Sequence, residues 1–333
     1  MLMDLIRGNG IFAGKSPYNA ADVPDQTGRV HLVTGANTGI GFVTAKALAA
    51  KHAKVYLACR NTEKGQEAIE KIKKAQADAD VVLLKLDLGS LVAVKAAAEE
   101  FLSKETRLDV LINSAGVMTP PRGSKTLDGY ELTFGTNNIG HHAFTQTLLP
   151  LIKKTAASSP PDSVRIVYVS SAAHWNMAPK KLDFEAVKEP NIARLAPAPL
   201  YGQSKLVNIQ QAKVLARQLK DDGVVVTSLH PGLIASDLYR YMGPFLTVFM
   251  SSVELGAVTQ LYCATSPNVT LADSGEYYVP WARKFKTQHA LAENVEEQQK
   301  AWDYLEKEVG DFYSKHAAEP STTQPAAPAQ PAV

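Results

Sequence analysis

The sequence predicts an α/β fold: a doubly wound, mostly parallel sheet of about seven strands flanked by helices, in a single domain. Three observations lead there. Short β-rich runs alternate with helical segments between residues 29 and 315, the pattern of repeated βα units joined by right-handed crossovers. A glycine turn joins the first strand directly to the first helix. Thr34, Arg60, Asp87 and Asn113 stand at the carboxyl ends of successive strand runs, where ligands bind in sheets of this kind.

Residues 1–28, rich in Gly, Pro and Asp, read as a leader packed over the surface or partly mobile. Arg29-Val30-His31-Leu32-Val33-Thr34 is the first strand, followed by Gly35-Ala36-Asn37-Thr38-Gly39-Ile40-Gly41 and an Ala-rich helix reaching His52. Glycines there permit a tight turn and close backbone approach to a pyrophosphate, and the helix N-terminus offers unpaired N–H groups to the anion. An ordinary βα turn also uses glycine, and the G-x-x-x-G-x-G spacing differs from the G-x-G-x-x-G dinucleotide fingerprint. The turn alone therefore decides little.

Lys54 to Cys59 reads as the second strand, ending at Arg60 with Lys64 one turn on. An acidic residue at that place receives ribose hydroxyls and a basic one accommodates a 2′-phosphate. This favours NADP over NAD; a solvated basic helix start is the alternative. Thr62 to Gln76 reads as a charged surface helix, Val81 to Leu86 as a buried strand ending in Asp87, Val92 to Glu105 as an amphipathic helix, and Leu108 to Asn113 as the fourth strand.

Asp128 to Leu151 reads as one long helix containing Asn137 and the adjacent pair His141-His142. Neighbours on a helix point about 100° apart, so the pair reads as core or interface and not as a metal site. Ser163 to Ser170 is the fifth strand, with Ser171 just past its end. Residues 172–199 accumulate Pro and Lys and read as a long irregular insertion, and such loops are usually functional. A helix around Tyr201, a β-rich run from Val224 to His230, Pro231-Gly232 and Ser236 follow. The aromatic stretch Tyr239 to Val253 reads equally as buried helix or as a lid over a lipophilic ligand. Ala257 to Thr265 is a helix, Gly275 to Val279 a last short strand, and Asn294 to Lys315 a terminal helix with Trp302 and Leu305 on one face. Residues 316–333 form a compositionally disordered tail.

With 333 residues, 45% hydrophobic and 20% charged, the chain can bury a sizeable core. A net charge of +2 gives no support for a nucleic-acid partner, so small molecules are the better expectation. Cys59 and Cys263 have neither disulfide-framework nor metal-ligand spacing, which fits a cytoplasmic home. No segment reads as a signal peptide, and Pro244 to Cys263 is interrupted by Glu254 and small polar residues, so no transmembrane segment is expected.

The chemistry centres on Tyr201-Gly202-Gln203-Ser204-Lys205. Residues four apart on a helix share a face, which sets a phenol beside an ammonium. A free Tyr has a pKa of roughly 10, and a fixed positive charge beside it favours phenolate and moves it towards the range that general acid-base catalysis needs.

Together, Thr34-Gly35-Ala36-Asn37-Thr38-Gly39-Ile40-Gly41, Asn113-Ser114-Ala115-Gly116, Asn137, Val169-Ser170-Ser171, Tyr201 to Lys205 and Pro231-Gly232 resemble the short-chain dehydrogenase/reductase family over about residues 28 to 312. Arg60-Asn61 and Asn137 to His141 look most like its retinol-dehydrogenase-like branch and fungal relatives. The resemblance implies a Rossmann-type sheet and an NADP-dependent oxidoreductase for a small lipophilic alcohol or carbonyl substrate. It implies that Tyr201 exchanges the proton with the substrate oxygen, Ser171 hydrogen-bonds that oxygen, Lys205 lowers the Tyr pKa and holds the nicotinamide ribose, and Asn137 maintains a water-linked relay through Lys205. Gly35, Thr38, Gly39, Ile40, Gly41, Arg60, Lys64, Asp87, Asn113 and Ser236 join Tyr201 and Lys205 as implied cofactor contacts. Helices of the family often pair into a homo-oligomer, though the leader and insertion could cover that surface. Ser114, Ser236 and His142 depart from the usual pattern. A non-catalytic NADP-binding sensor or scaffold, or an epimerase or dehydratase, is the competing reading; the retained Ser171, Tyr201 and Lys205 weigh against the first, and the Asn137 relay and single-domain size against the second.

Overall fold

Runs of Val, Leu and Ile with both faces covered become the central strands of the computed structural model, which describes residues 16–235, 250–287 and 289–316. Ser236, the 239–249 part of the aromatic stretch, residues 1–15 of the leader and 317–333 of the tail lie outside the described residues. The order is β1 (Val30–Thr34), α1 (Gly39–Ala49), β2 (Lys54–Cys59), α2 (Thr62–Ala75), β3 (Val81–Lys85), α3 (Leu91–Lys104), β4 (Val110–Asn113), α4 (His141–Ala157), β5 (Arg165–Val169), α5 (Pro197–Gln218), β6 (Val225–Leu229), α6 (Val253–Thr265), β7 (Tyr277–Val279), β8 (Arg283–Lys284) and α7 (Val295–His316). They form one sheet in the order β3-β2-β1-β4-β5-β6-β7-β8. All neighbours are parallel except β7 and β8.

Side chains alternate across the sheet and feed two cores. Leu111, Ile166 and Val226 meet α3, α4, α5 and α7 on one face. Val33, Ile112, Val167 and Leu229 meet α1, α2 and α6 on the other. Polar side chains start the outer helices: Asn61 accepts from Lys64 N at 2.8 Å and Ser90 from Ala93 N at 3.3 Å. The described part of the leader is tied down by Tyr18, whose hydroxyl lies 2.9 Å from Thr265 Oγ1 on α6.

The expected architecture is the observed one, with local corrections. Among the described residues the sheet has eight strands; the extra one is a two-residue antiparallel edge strand, too short to leave a sequence pattern. The long helix expected from Asp128 is interrupted. Gly129 sits at φ +83° and residues 125 and 131 pair as a bridge, so helical structure begins with a turn at Leu132–Phe134 and a π-helix at Gly135–Gly140 before α4. Gly135 allows this, because a Cβ there would meet Thr126 Cγ2 at 2.4 Å. The insertion holds only short helical turns, Ala173–Asn176 and Glu185–Val187, and α5 begins inside it at Pro197. Proline is preorganised for the first helical turn, so residues that read as loop are the helix start. Among the described residues, no helix is long and apolar enough to cross a membrane, and no group of three His, Cys, Asp or Glu side chains could hold a metal.

Candidate active site

The carboxyl ends of β1, β4 and β5 face the second turn of α5, and this convergence assembles the site. Tyr201 and Lys205 are both buried, and Lys205 Nζ lies 5.8 Å from the Tyr201 ring centroid. The ammonium donates to Val169 O at 2.9 Å, at the last residue of β5, and Asn208 Nδ2 donates to the same carbonyl at 3.2 Å. Burial pushes the Lys205 amine down to about 7. Ser170 Oγ donates to Lys205 O at 2.6 Å, so the end of β5 and α5 are bonded in both directions. Ser171 is next along the chain. Its hydroxyl oxygen accepts from Ala173 N at 3.2 Å, and its carbonyl accepts from His174 Nδ1 at 2.6 Å.

Asn137 enters from the π-helix. Its amide pairs with both polar groups of Val117, with Oδ1 accepting from Val117 N at 2.8 Å and Nδ2 donating to Val117 O at 3.1 Å. The same Nδ2 reaches Ser204 Oγ at 3.0 Å, which donates to Tyr201 O at 2.8 Å. Asn137 therefore joins the loop after β4 to the Tyr201 turn. A Cβ on Gly116 would lie 3.3 Å from Asn137 Oδ1 and 3.5 Å from Lys205 Nζ, so this loop is the adjoining wall.

Beside this constellation lie the carboxyl ends of β1, β2 and β3, with the glycine turn after β1. Gly35 has φ +69°, and a Cβ there would stand 2.9 Å from Ala115 Cα. A Cβ on Gly41 would meet Gly35 O at 2.5 Å. Only glycine allows the β1 loop to cross so close to the N-terminus of α1, leaving Thr38 exposed and Gly39 and Ile40 partly so. Ile40 also packs on Gly256 of α6, where a Cβ would come within 2.7 Å of Ile40 Cγ2. Arg60 and Lys64 are exposed at the end of β2 and in the first turn of α2. Asp87, half-buried beyond β3, accepts from Gly89 N at 2.9 Å. Asn113 is buried and donates to Thr145 Oγ1 on α4 at 3.0 Å, so it braces the end of β4 against α4. An open N–H-lined turn flanked by exposed cations suits a phosphorylated dinucleotide.

Residues 29–188 match the short chain dehydrogenase family model. A short-chain dehydrogenase/reductase of Armillaria gallica is 42% identical over 91% of this chain and 97% of its own length. The chain belongs to the short-chain dehydrogenase/reductase family. Human retinol dehydrogenase 11 is 38% identical over 83% of this dehydrogenase/reductase and 84% of the human chain, which supports the retinol-dehydrogenase-like resemblance. The NADPH-bound carbonyl reductase from chicken fatty liver aligns with TM-score 0.59 and 26% identity, covering 76% of this chain and 96% of that one.

Some residues that shape the site in this dehydrogenase/reductase left no usable pattern. Ser204 and Asn208 act through contacts between segments far apart in sequence, and His174 bonds back to Ser171 within a short turn of the irregular insertion. Gly202 is hidden by its place inside a helix. A Cβ there would stand 2.3 Å from Ala178 N and 2.4 Å from Met177 C, so the insertion's first turn rests directly on the Tyr201 turn. Gly202→Ala is expected to cost about 1–3 kcal/mol by overpacking against backbone, read as a lowered midpoint in thermal denaturation. An unchanged midpoint would show that the insertion yields without cost.

Proposed function

We propose that the protein is an NADP-dependent oxidoreductase that interconverts a lipophilic alcohol and its carbonyl, with Tyr201 as general acid and base. The observation that carries the reading is the buried Tyr201–Lys205 pair on α5, bonded to Val169 and Ser170 at the end of β5, with Ser171 next along the chain. When bound, the nicotinamide supplies or receives the hydride, which leaves the protein one proton to manage at the substrate oxygen. In the reducing direction the Tyr201 hydroxyl donates that proton while the Ser171 hydroxyl hydrogen-bonds the same oxygen. The Lys205 ammonium stabilises the phenolate left behind, and Asn137 holds the adjoining wall in register.

Gly35, Thr38, Gly39, Ile40 and Gly41 would hold the pyrophosphate, Arg60 and Lys64 the 2′-phosphate, and Asp87 the adenine end, with Asn113 bracing the end of β4. A lipophilic substrate is supported by Met118 and Ala173, which cluster with the Tyr201 ring, and by the retinol dehydrogenases among the relatives. Residence in a reducing compartment such as the cytoplasm is supported by Cys59 and Cys263, both buried and unpaired.

The test follows nicotinamide absorbance with retinoid, steroid, terpenoid and long-chain carbonyls, using NADPH and NADH in parallel. Turnover confined to polar carbonyls would refute the substrate class. Arg60→Asp is expected to lower the NADPH/NADH preference in kcat/KM by roughly 10- to 100-fold, the scale of one lost charge-assisted contact of 1.4–2.7 kcal/mol. An unchanged ratio would remove Arg60 from cofactor recognition.

A further inference from the structure

The adjacent histidines do different things. His142 Nε2 meets Glu306 Oε1 on α7 at 3.0 Å and its ring packs edge-on against Trp302, so it joins α4 to the terminal helix. His141 turns inward, where both ring nitrogens have partners. Its Nδ1 lies 3.1 Å from Asn137 O and its Nε2 lies 2.9 Å from Thr34 Oγ1. A carbonyl can only accept, so Nδ1 carries the proton; Nε2 then accepts the one Thr34 hydroxyl proton at 2.9 Å, in preference to the Ile112 carbonyl at 3.4 Å. Burial pushes the ring down to about 3, in keeping with a neutral imidazole of this single tautomer.

Those two bonds complete a closed circuit. Thr34 Oγ1 accepts from Ser114 N and Ala115 N, each at 2.9 Å. Two residues on, Val117 is paired in both directions with the Asn137 side chain. From the Asn137 carbonyl the path returns through His141 to Thr34. The π-helix makes room for it: an α-helix would send His141 N–H to Asn137 O, whereas here it bonds Asn138 O and the ring meets Asn137 O. Replacing the ring by an apolar group would leave two buried groups, the Asn137 carbonyl and the Thr34 hydroxyl, without these partners.

We propose that His141 is the positioning residue that locks Asn137 to the 114–117 wall and thereby aligns the Asn137–Lys205–Tyr201 proton path. This rests on the oxidoreductase reading above for its effect on rate, but not for the ring's bonding. With all-trans-retinaldehyde and NADPH as probes, His141→Leu is expected to lower kcat by about 10- to 100-fold, the scale of a small misplacement near the chemistry. The KM for NADPH should stay within about twofold, because the ring bonds no group of the glycine turn. The solvent deuterium isotope effect on kcat should rise as proton movement becomes limiting. His141→Asn, whose amide can donate from the place of Nδ1, should recover part of the rate.

A purely space-filling role would instead lower thermal stability and leave kcat and the isotope effect of the folded enzyme unchanged, which would overturn the proposal. The ring itself is read by 15N NMR on histidine-labelled protein. The signal lost in His141→Leu should show protonated Nδ1 and bare Nε2 between pH 5 and 8. An Nε2–H tautomer, or titration in that range, would overturn the proposal even if no carbonyl is turned over. Absence of turnover in the wild type with the expected tautomer would place the fault in the proposed substrate class.

Discussion

Tyr201→Phe is expected to lower kcat by about 10²- to 10⁴-fold, the contribution of a positioned general acid, while NADPH binding changes little. The ring is buried with Met118 and Ala173, and Phe preserves that packing while removing the hydroxyl. The measurement pairs nicotinamide turnover with NADPH affinity from fluorescence titration. A variant retaining more than about a tenth of the wild-type kcat would transfer the proton's source to another group and remove the central assignment.

Lys205→Met should separate function from stability. Turnover should fall on a scale similar to that of Tyr201→Phe, since the variant loses the charge beside the phenol. Yet the folded state should gain. Burial holds Lys205 at about 7, below its ordinary 10.5, so between those values the unfolded chain binds the extra proton and stability rises with pH. The cost of burying the ammonium is therefore fully present below pH 7 and fades towards 10.5. Met is of similar length, leaves Asn208 on the Val169 carbonyl, and removes a cost on the order of a few kcal/mol. Thermal denaturation should show the largest gain near pH 6, on the order of 5–10 °C, shrinking towards pH 10. A variant less stable than the wild type at pH 6 would show that the Lys205–Val169 bond outweighs the burial.

Much of this was readable before any coordinates. The order of strands and helices follows from apolar runs and glycine punctuation, because each βα unit is locally encoded. The site was readable where function needs particular residue types at a fixed offset, as with Tyr201 and Lys205. Reading failed where distant backbone decides. Nothing near Gly135 announces a π-helix, and its close contact with Thr126 belongs to the folded chain and not to the local pattern. His141 and His142 look alike in the chain, and only the three-dimensional neighbours Thr34 and Glu306 assign them opposite directions. The prolines before Leu200 suggested loop because proline breaks helices more often than it begins them.

The terminal helix α7 carries a consequence in time. Glu308 accepts from the Tyr130 hydroxyl at 2.8 Å and from Lys188 at 2.5 Å, Glu306 meets His142, and Arg217 on α5 donates to Gln298 at 2.6 Å. The outer faces of α4 and α5, the two helices that begin beside Asn137 and carry Tyr201, are thus sealed by a helix that is synthesised after both. Domains generally fold as units during synthesis. The glycine turn of residues 35 to 41 packs on Gly256 of α6, which is also made after the Tyr201 helix, so both halves of the candidate site wait for the same late segments of the chain.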